Sequence, residues 1–80
     1  MSHSTTWLVG VIIRMFGNNL SLLRKEKNME QRALAKVLGV SQQTISRWEN
    51  NVVEPDIKSL IKIANYFDVT TDYLLGRVDY

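Results

Sequence analysis

Five hydrogen-bonding side chains recur along one short segment of the chain, residues 42–50. They are Gln42, Gln43, Ser46, Arg47 and Asn50. If the segment is helical, their spacing places them on or beside one face of the helix. Glutamine can form two hydrogen bonds with adenine, and arginine can do so with guanine. No Asp or Glu stands at these five positions, so the face is compatible with a nearby phosphate.

The basic residues are unevenly distributed, although the whole chain carries a net charge of only +2. Residues 24–47 contain six Lys and Arg against two Glu, a net charge of +4. Residues 48–80 contain three basic residues against six acidic ones, a net charge of −3. A basic stripe favours binding to a polyanion, most often nucleic acid. A solvated charged surface is the alternative that charge alone leaves open.

The length and composition exclude several classes of protein. Eighty residues are enough for one small domain, in which a deep enzymatic cleft is not expected. The chain has no cysteine, which excludes disulfides and thiolate metal sites. A single histidine, His3, cannot form a metal-binding imidazole cluster. We therefore expect no enzymatic activity, no metal and no cofactor, and no small-molecule site is evident.

The elements that position the polar face are two predicted helices joined by a short turn. A helix over residues 31–38 would bury Leu34, Ala35 and Leu38, and a third helix over residues 42–50 would bury Ile45 and Trp48. Between them lies Gly39-Val40-Ser41. Glycine allows the positive φ of a tight turn, and Ser41 is a good N-cap. Such a three-residue turn sets two helices at about 90–120°, as in a helix-turn-helix.

Three further helices complete an expected all-α domain. Phe16, Leu20 and Leu23 have the spacing of a first helix that ends near Lys27, with Asn28 able to adopt the left-handed conformation that follows it. Asp56 is the predicted N-cap of a fourth helix, whose apolar stripe would contain Ile57, Leu60, Ile61, Ala64 and Phe67. Thr70 would cap a short fifth helix over residues 71–75, closed by Gly76.

Residues 16–76 resemble the Cro/lambda-repressor-type (XRE-like) helix-turn-helix domain of bacterial and phage transcription regulators. The resemblance is carried by Gln31-Arg32-Ala33-Leu34-Ala35, Leu38-Gly39-Val40-Ser41, the run from Gln42 to Asn50, Glu54-Pro55-Asp56 and Val69-Thr70-Thr71-Asp72-Tyr73-Leu74-Leu75-Gly76. It implies a compact five-helix fold with helix three in the major groove of double-stranded DNA, in a homodimer on a palindromic operator. Residues 1–15 are then an N-terminal extension that could serve as an interaction element, and residues 77–80 a C-terminal tail.

The resemblance also implies roles for individual residues. It implies base contacts at Gln42, Gln43, Ser46 and Arg47, and phosphate contacts at Gln31, Thr44 and Asn50. It implies a structural ion pair between Arg24 and Glu49, which ties helix one to helix three.

The sequence departs from the family pattern in three places. The family usually has Ser or Thr at the N-cap of helix two with Glu three residues later, where this chain has Glu30 and Ala33, so no capping box is expected. A carboxylate at Glu30 would also repel a phosphate near Gln31. Asn51-Val52 replaces a common Gly-Lys, and a cation that contacts the backbone is lost.

The third departure is the apolar run Trp7-Leu8-Val9-Gly10-Val11-Ile12-Ile13, which precedes the minimal family domain. It is too short to span a bilayer, which takes about 20 residues, and it lacks the flanks of a signal peptide. We expect a cytoplasmic protein. The run has no period-2 alternation, so a strand there would need cover on both faces. We predict that residues 7–13 pack against another surface, as an antiparallel strand pair or crossed helical extension between two subunits, or alternatively on helix one.

The sequence thus predicts a DNA-binding transcriptional regulator, a repressor of a bacterial, phage or plasmid operon, that associates with the nucleoid. An antitoxin or a restriction-modification controller would use the same fold at this length. A protein-interaction module that has lost DNA binding is the alternative from another class, and the polar face of helix three argues against it.

Overall fold

A computed structural model of the chain describes the backbone of residues 5–77 and the side chains of residues 15–77. Within that range the chain forms five helices and no strand. They are α1 (Thr5–Glu26), α2 (Gln31–Leu38), α3 (Gln42–Glu49), α4 (Ile57–Phe67) and α5 (Thr71–Leu74). The predicted all-α fold is confirmed. His3 and most of the predicted C-terminal tail, residues 77–80, lie outside the described residues.

Helix α1 differs most from expectation, because it begins at Thr5 and not near Phe16. The strand interpretation of residues 7–13 is therefore wrong. A helix bonds its own backbone N–H and C=O groups internally, so this run needs no partner strand. The helix also continues without a break through residues 15 and 16, where we predicted the start of the family domain. Its end is close to the prediction, since Asn28 has a φ of 54°.

The turns and caps agree well with the sequence signals. Gly39 has a φ of 73° and ends α2. The Ser41 hydroxyl accepts a hydrogen bond from the Thr44 N–H at 3.1 Å, and the Thr70 hydroxyl accepts one from the Tyr73 N–H at 3.0 Å. These two N-caps are confirmed. Asp56 begins α4 in extended conformation, but its side chain makes no capping hydrogen bond.

One core joins all five helices. Its fully buried members are Leu20, Leu34, Ile45, Ile63 and Leu74. The Phe16 ring meets the Trp48 ring edge to face, with 6.5 Å between the centroids, which fastens α1 to α3. Trp48 is thus a core residue, as predicted, and is not available to stack on a base.

The predicted stripe of α4 was partly wrong. Ile57 is 76% exposed and Ile61 is 48% exposed, whereas Ile63 is fully buried. The stripe that faces the core consists of the half-buried Leu60 and the buried Ile63, Ala64 and Phe67, spaced i, i+3, i+4 and i+7. Because seven of the eleven residues of α4 are apolar or aromatic, the sequence allows two overlapping stripes, and contact with the other helices selects between them.

Candidate nucleic-acid interface

Helix α3 is held by its inner face and presents its outer face to solvent. Ile45 and Trp48 are buried in the core, and the neighbouring helix α2 packs against α3 and buries its Ala35. On the opposite face Gln42, Gln43 and Arg47 are exposed, and Ser46 is half-buried. The core therefore fixes which side of α3 can contact a ligand.

The three long polar side chains on this face have free hydrogen-bonding groups. None of the hydrogen bonds described for the chain involves the side chain of Gln42, Gln43 or Arg47. Two amides and a guanidinium can thus form hydrogen bonds with an external partner without breaking an internal one. Amide and guanidinium groups of this kind bind a partner by hydrogen bonding.

The first turn of α3 is organised by two hydroxyl groups. The Ser41 and Thr44 hydroxyl oxygens lie 2.9 Å apart, within hydrogen-bonding distance. Thr44, one of the predicted phosphate-contacting residues, is therefore placed directly at the N-terminus of α3. Helix N-termini attract phosphate through their free N–H groups and the helix dipole.

The last turn of α3 contains a second polar pair. The Asn50 amide nitrogen donates to the Ser46 carbonyl oxygen at 2.9 Å and lies 3.3 Å from the Ser46 hydroxyl oxygen. Ser46, a predicted base-contacting residue, and Asn50, a predicted phosphate-contacting residue, are thus linked by hydrogen bonds.

Beneath the interface, Arg24 and Glu49 form an ion pair between α1 and the end of α3. Arg24 Nε donates to Glu49 Oε2 at 2.6 Å, and Arg24 Nη2 donates to Oε1 at 2.9 Å. The two side chains are 11% and 6% exposed. The hydrogen bonding of Arg24 to the Glu49 carboxylate raises the pKa of Arg24, although burial opposes the shift. Arg24 is therefore charged, and the pair, largely shielded from solvent, is a structural link between α1 and α3.

The same pair reaches the first turn of α2. Gln31 Nε2 donates to Glu49 Oε1 at 3.1 Å, so the amide of this predicted phosphate-contacting residue is anchored to the ion pair. Arg24 Nη1 also donates to the Met29 carbonyl at 2.7 Å, in the turn between α1 and α2. One network thus fixes the N-terminus of α2 relative to the C-terminus of α3. The preceding N-cap, Glu30, makes no side-chain capping bond.

Two residues that support the interface were not predicted from the sequence. Lys62 donates to the Leu38 carbonyl at 3.0 Å and so caps the C-terminus of α2 at the helix-turn-helix turn. Asn19 donates to the carbonyls of Tyr73 and Leu74 at 3.0 and 3.1 Å, which ties α1 to α5. Both contacts join residues more than 20 positions apart, and no local sequence motif predicts them.

Comparison with known proteins bears directly on this arrangement. A family model described as helix-turn-helix matches residues 20–74. The uncharacterized HTH-type transcriptional regulator YqaE of Bacillus subtilis is 43% identical over 61 residues, which are 76% of this chain and 53% of that protein. Repressor protein C2 of Salmonella phage P22 is 34% identical over 62 residues, 78% of this chain and 29% of that protein.

A solved structure shows the same fold. The crystal structure of the P22 c2 repressor with a synthetic operator superposes with a TM-score of 0.74 and 33% identity. The match covers 79% of this chain and 96% of that one. The chain spans about half the length of the first curated relatives it matches. Among the residues described, no helix combines the length and apolarity that a membrane crossing requires.

Proposed function

The chain belongs to the helix-turn-helix family of transcriptional regulators, and from this premise we propose that it binds double-stranded DNA sequence-specifically and regulates transcription. Helix α3 lies in the major groove, and Gln42, Gln43, Ser46 and Arg47 contact the base edges. The observation that carries the proposal is the exposed outer face of α3, on which three long polar side chains have no internal hydrogen bond. The operator bound by the P22 c2 repressor, a structural neighbour, supports it.

Phosphate contacts place α3 in register with the groove. We assign them to Gln31, Thr44 and Asn50, which lie at the N-termini of α2 and α3 and at the end of α3. Contacts to phosphate fix orientation and carry no sequence information directly. The bond from Gln31 to Glu49 supports its role, because an anchored amide loses less conformational freedom on binding.

We further propose that the protein acts as a homodimer on a palindromic operator in the bacterial cytoplasm, at the nucleoid, and represses by occupancy. One small module gives modest affinity, whereas two linked half-sites multiply it. An antitoxin or restriction-modification controller would bind DNA in the same way. A protein-interaction module that does not bind DNA is the alternative from another class. A gel shift on random DNA and on DNA upstream of its own gene would distinguish the two, because only the regulator would shift DNA.

Arg47→Ala and Gln42→Ala should each weaken binding to the cognate site by about 1–3 kcal/mol and relax base preference at particular positions. Both side chains are exposed, so thermal unfolding should hardly change. Titration of labelled operator duplexes measures the effect. Arg77→Ala is the matched control, because it removes the same charge beyond α5 and should leave base preference unchanged. If both α3 variants bind with the affinity and base preference of wild type, α3 is not the DNA-contacting helix.

Glu30→Thr should tighten binding to all DNA sequences to a similar extent. The change removes a negative charge from the phosphate side of α2 and offers a hydroxyl for the N-cap, where Glu30 makes no capping bond. Affinities for the operator and for a scrambled duplex, measured at one salt concentration, test it. Tightening for only one sequence, or weaker binding, would assign Glu30 a different role.

Residues 7–13 remain our proposed contact with a second subunit. They are helical, so the crossed helical extension is the form that we retain. Deletion of residues 1–14 should weaken self-association, as measured by sedimentation equilibrium, with thermal unfolding as the control for folding. An unchanged association constant would place the dimer interface elsewhere, with α5 and the chain that follows it as the next surface to test.

A further inference from the structure

Ser46 and Asn50 are one helical turn apart on the outer side of α3, and the orientation of the Asn50 amide is determined by its surroundings. A backbone carbonyl can only accept a hydrogen bond. The Asn50 atom 2.9 Å from the Ser46 carbonyl oxygen must therefore be the amide nitrogen, not the amide oxygen. The same nitrogen approaches the Ser46 hydroxyl oxygen at 3.3 Å, so it presents a donor to that hydroxyl.

This contact restricts the direction of the Ser46 hydroxyl group. A serine hydroxyl can donate one hydrogen bond and accept others. Because its oxygen faces the N–H of Asn50, the hydroxyl hydrogen must point away from Asn50. No further hydrogen bond of the Ser46 side chain is described in residues 15–77. The hydroxyl hydrogen and one of the two oxygen lone pairs are therefore left for an external partner.

We propose that Asn50 is a positioning residue for DNA sequence specificity, which holds Ser46 as a hydrogen-bond donor in the major groove. The inference rests on the proposed function and deepens it. Guanine presents acceptors N7 and O6 in that groove, adenine presents N7 and thymine presents O4, whereas cytosine presents a donor, its N4 amino group. Because Asn50 occupies one of the two acceptor sites of the hydroxyl, Ser46 then favours a base that offers an acceptor over cytosine at the position it contacts.

This role is separate from the phosphate contact assigned to Asn50, and measurement can distinguish the two. Loss of a phosphate contact weakens binding to all sequences nearly uniformly. Loss of a group that orients Ser46 changes the preference at one base pair and leaves the other positions unaffected. The effect must also pass through Ser46, so it must vanish when the hydroxyl is absent.

The experiment is a double-mutant cycle on base preference. Affinities of wild type, Asn50→Ala, Ser46→Ala and the double variant are measured on duplexes that carry the sequence wild type selects from a random DNA pool, with each base pair changed in turn to the other three. Ser46→Ala identifies the base pair that Ser46 contacts. At that pair we expect Asn50→Ala to reduce discrimination against cytosine about fivefold, the equivalent of one hydrogen bond. In the Ser46→Ala background the same change should have no effect on preference. Thermal unfolding of all four proteins controls for folding.

Three results would overturn the proposal. Asn50→Ala could weaken all duplexes equally, which would make Asn50 a backbone contact only. Ser46→Ala could leave every base preference intact, which would remove Ser46 from the interface. Asn50→Ala could change preference equally with and without the Ser46 hydroxyl, which would show that it acts by another route. Failure of the proposed function is distinguishable from all three, because wild type would then show no base preference at any position.

Discussion

Glu49→Ala is expected to reduce the free energy of unfolding by about 4 kcal/mol, the largest effect of any single change considered. The substitution leaves the Arg24 guanidinium charged in a position where the residue is only 9% exposed. Two hydrogen bonds from Arg24 lose their acceptor, and so does the bond from Gln31. Removal of one partner lowers the free energy of unfolding by more than the intact pair contributes to it, because the remaining charge stays desolvated and has no partner.

Equilibrium urea denaturation measures this loss as a shift in the transition midpoint at constant slope. Glu26→Ala is a matched control, because Glu26 is an exposed glutamate at the end of α1 and its removal should change stability by no more than about 0.5 kcal/mol. A loss below about 1 kcal/mol for Glu49→Ala would contradict the account, since that value is typical of a solvated surface pair.

Gly17→Ala is expected to destabilise the fold by about 3 kcal/mol, although alanine is normally the better helix former. A Cβ at residue 17 would lie 2.7 Å from the carbonyl oxygens of both Trp48 and Glu49, and 2.5 Å from Asn51 Oδ1. The Asn51 side chain could move aside, but the two carbonyls belong to the last turn of α3. Helix α1 would have to retreat from α3, and the Phe16–Trp48 and Arg24–Glu49 contacts would loosen with it.

The test is decisive because the crowded and the unobstructed helix predict opposite changes in stability. In an unobstructed helix the same substitution would stabilise by roughly 0.5–1 kcal/mol. Asn18→Ala, at the neighbouring exposed position of α1, is the control and should be nearly neutral or slightly stabilising. Urea denaturation of both variants gives the comparison. A Gly17→Ala protein as stable as wild type would show that α1 and α3 do not approach each other as closely as described.

The parts of the structure that the sequence predicted well are those with local signals. Ser41 and Thr70 are capping residues by type, and Gly39 is the residue that tolerates the left-handed turn after α2. These features depend on neighbours within four positions, so the helix-turn-helix segment could be placed almost to the residue.

The parts that were missed depend on distant contacts or on ambiguous patterns. Residues 7–13 are apolar but show neither the helical period of about 3.6 residues nor the strand period of 2, so the pattern does not distinguish a helix from a strand. The choice between Ile61 and Ile63 as the buried residue of α4 follows from what packs against the helix. The close approach at Gly17 and the cap supplied by Lys62 join separate elements, and a single sequence does not reveal them.

The outer face of α3 was predicted as a base-contacting surface, and its exposure and free polar groups give that prediction a structural basis. The central proposal is that α3 of a dimer recognises a defined operator. Selection of bound sequences from a random DNA pool tests it most directly. We expect wild type to enrich an inverted repeat whose half-sites are centred about 10–11 base pairs apart, and Arg47→Ala to lose part of that preference. A pool that shows no enriched sequence after selection, or one whose enriched sequence is the same for wild type and Arg47→Ala, would contradict it.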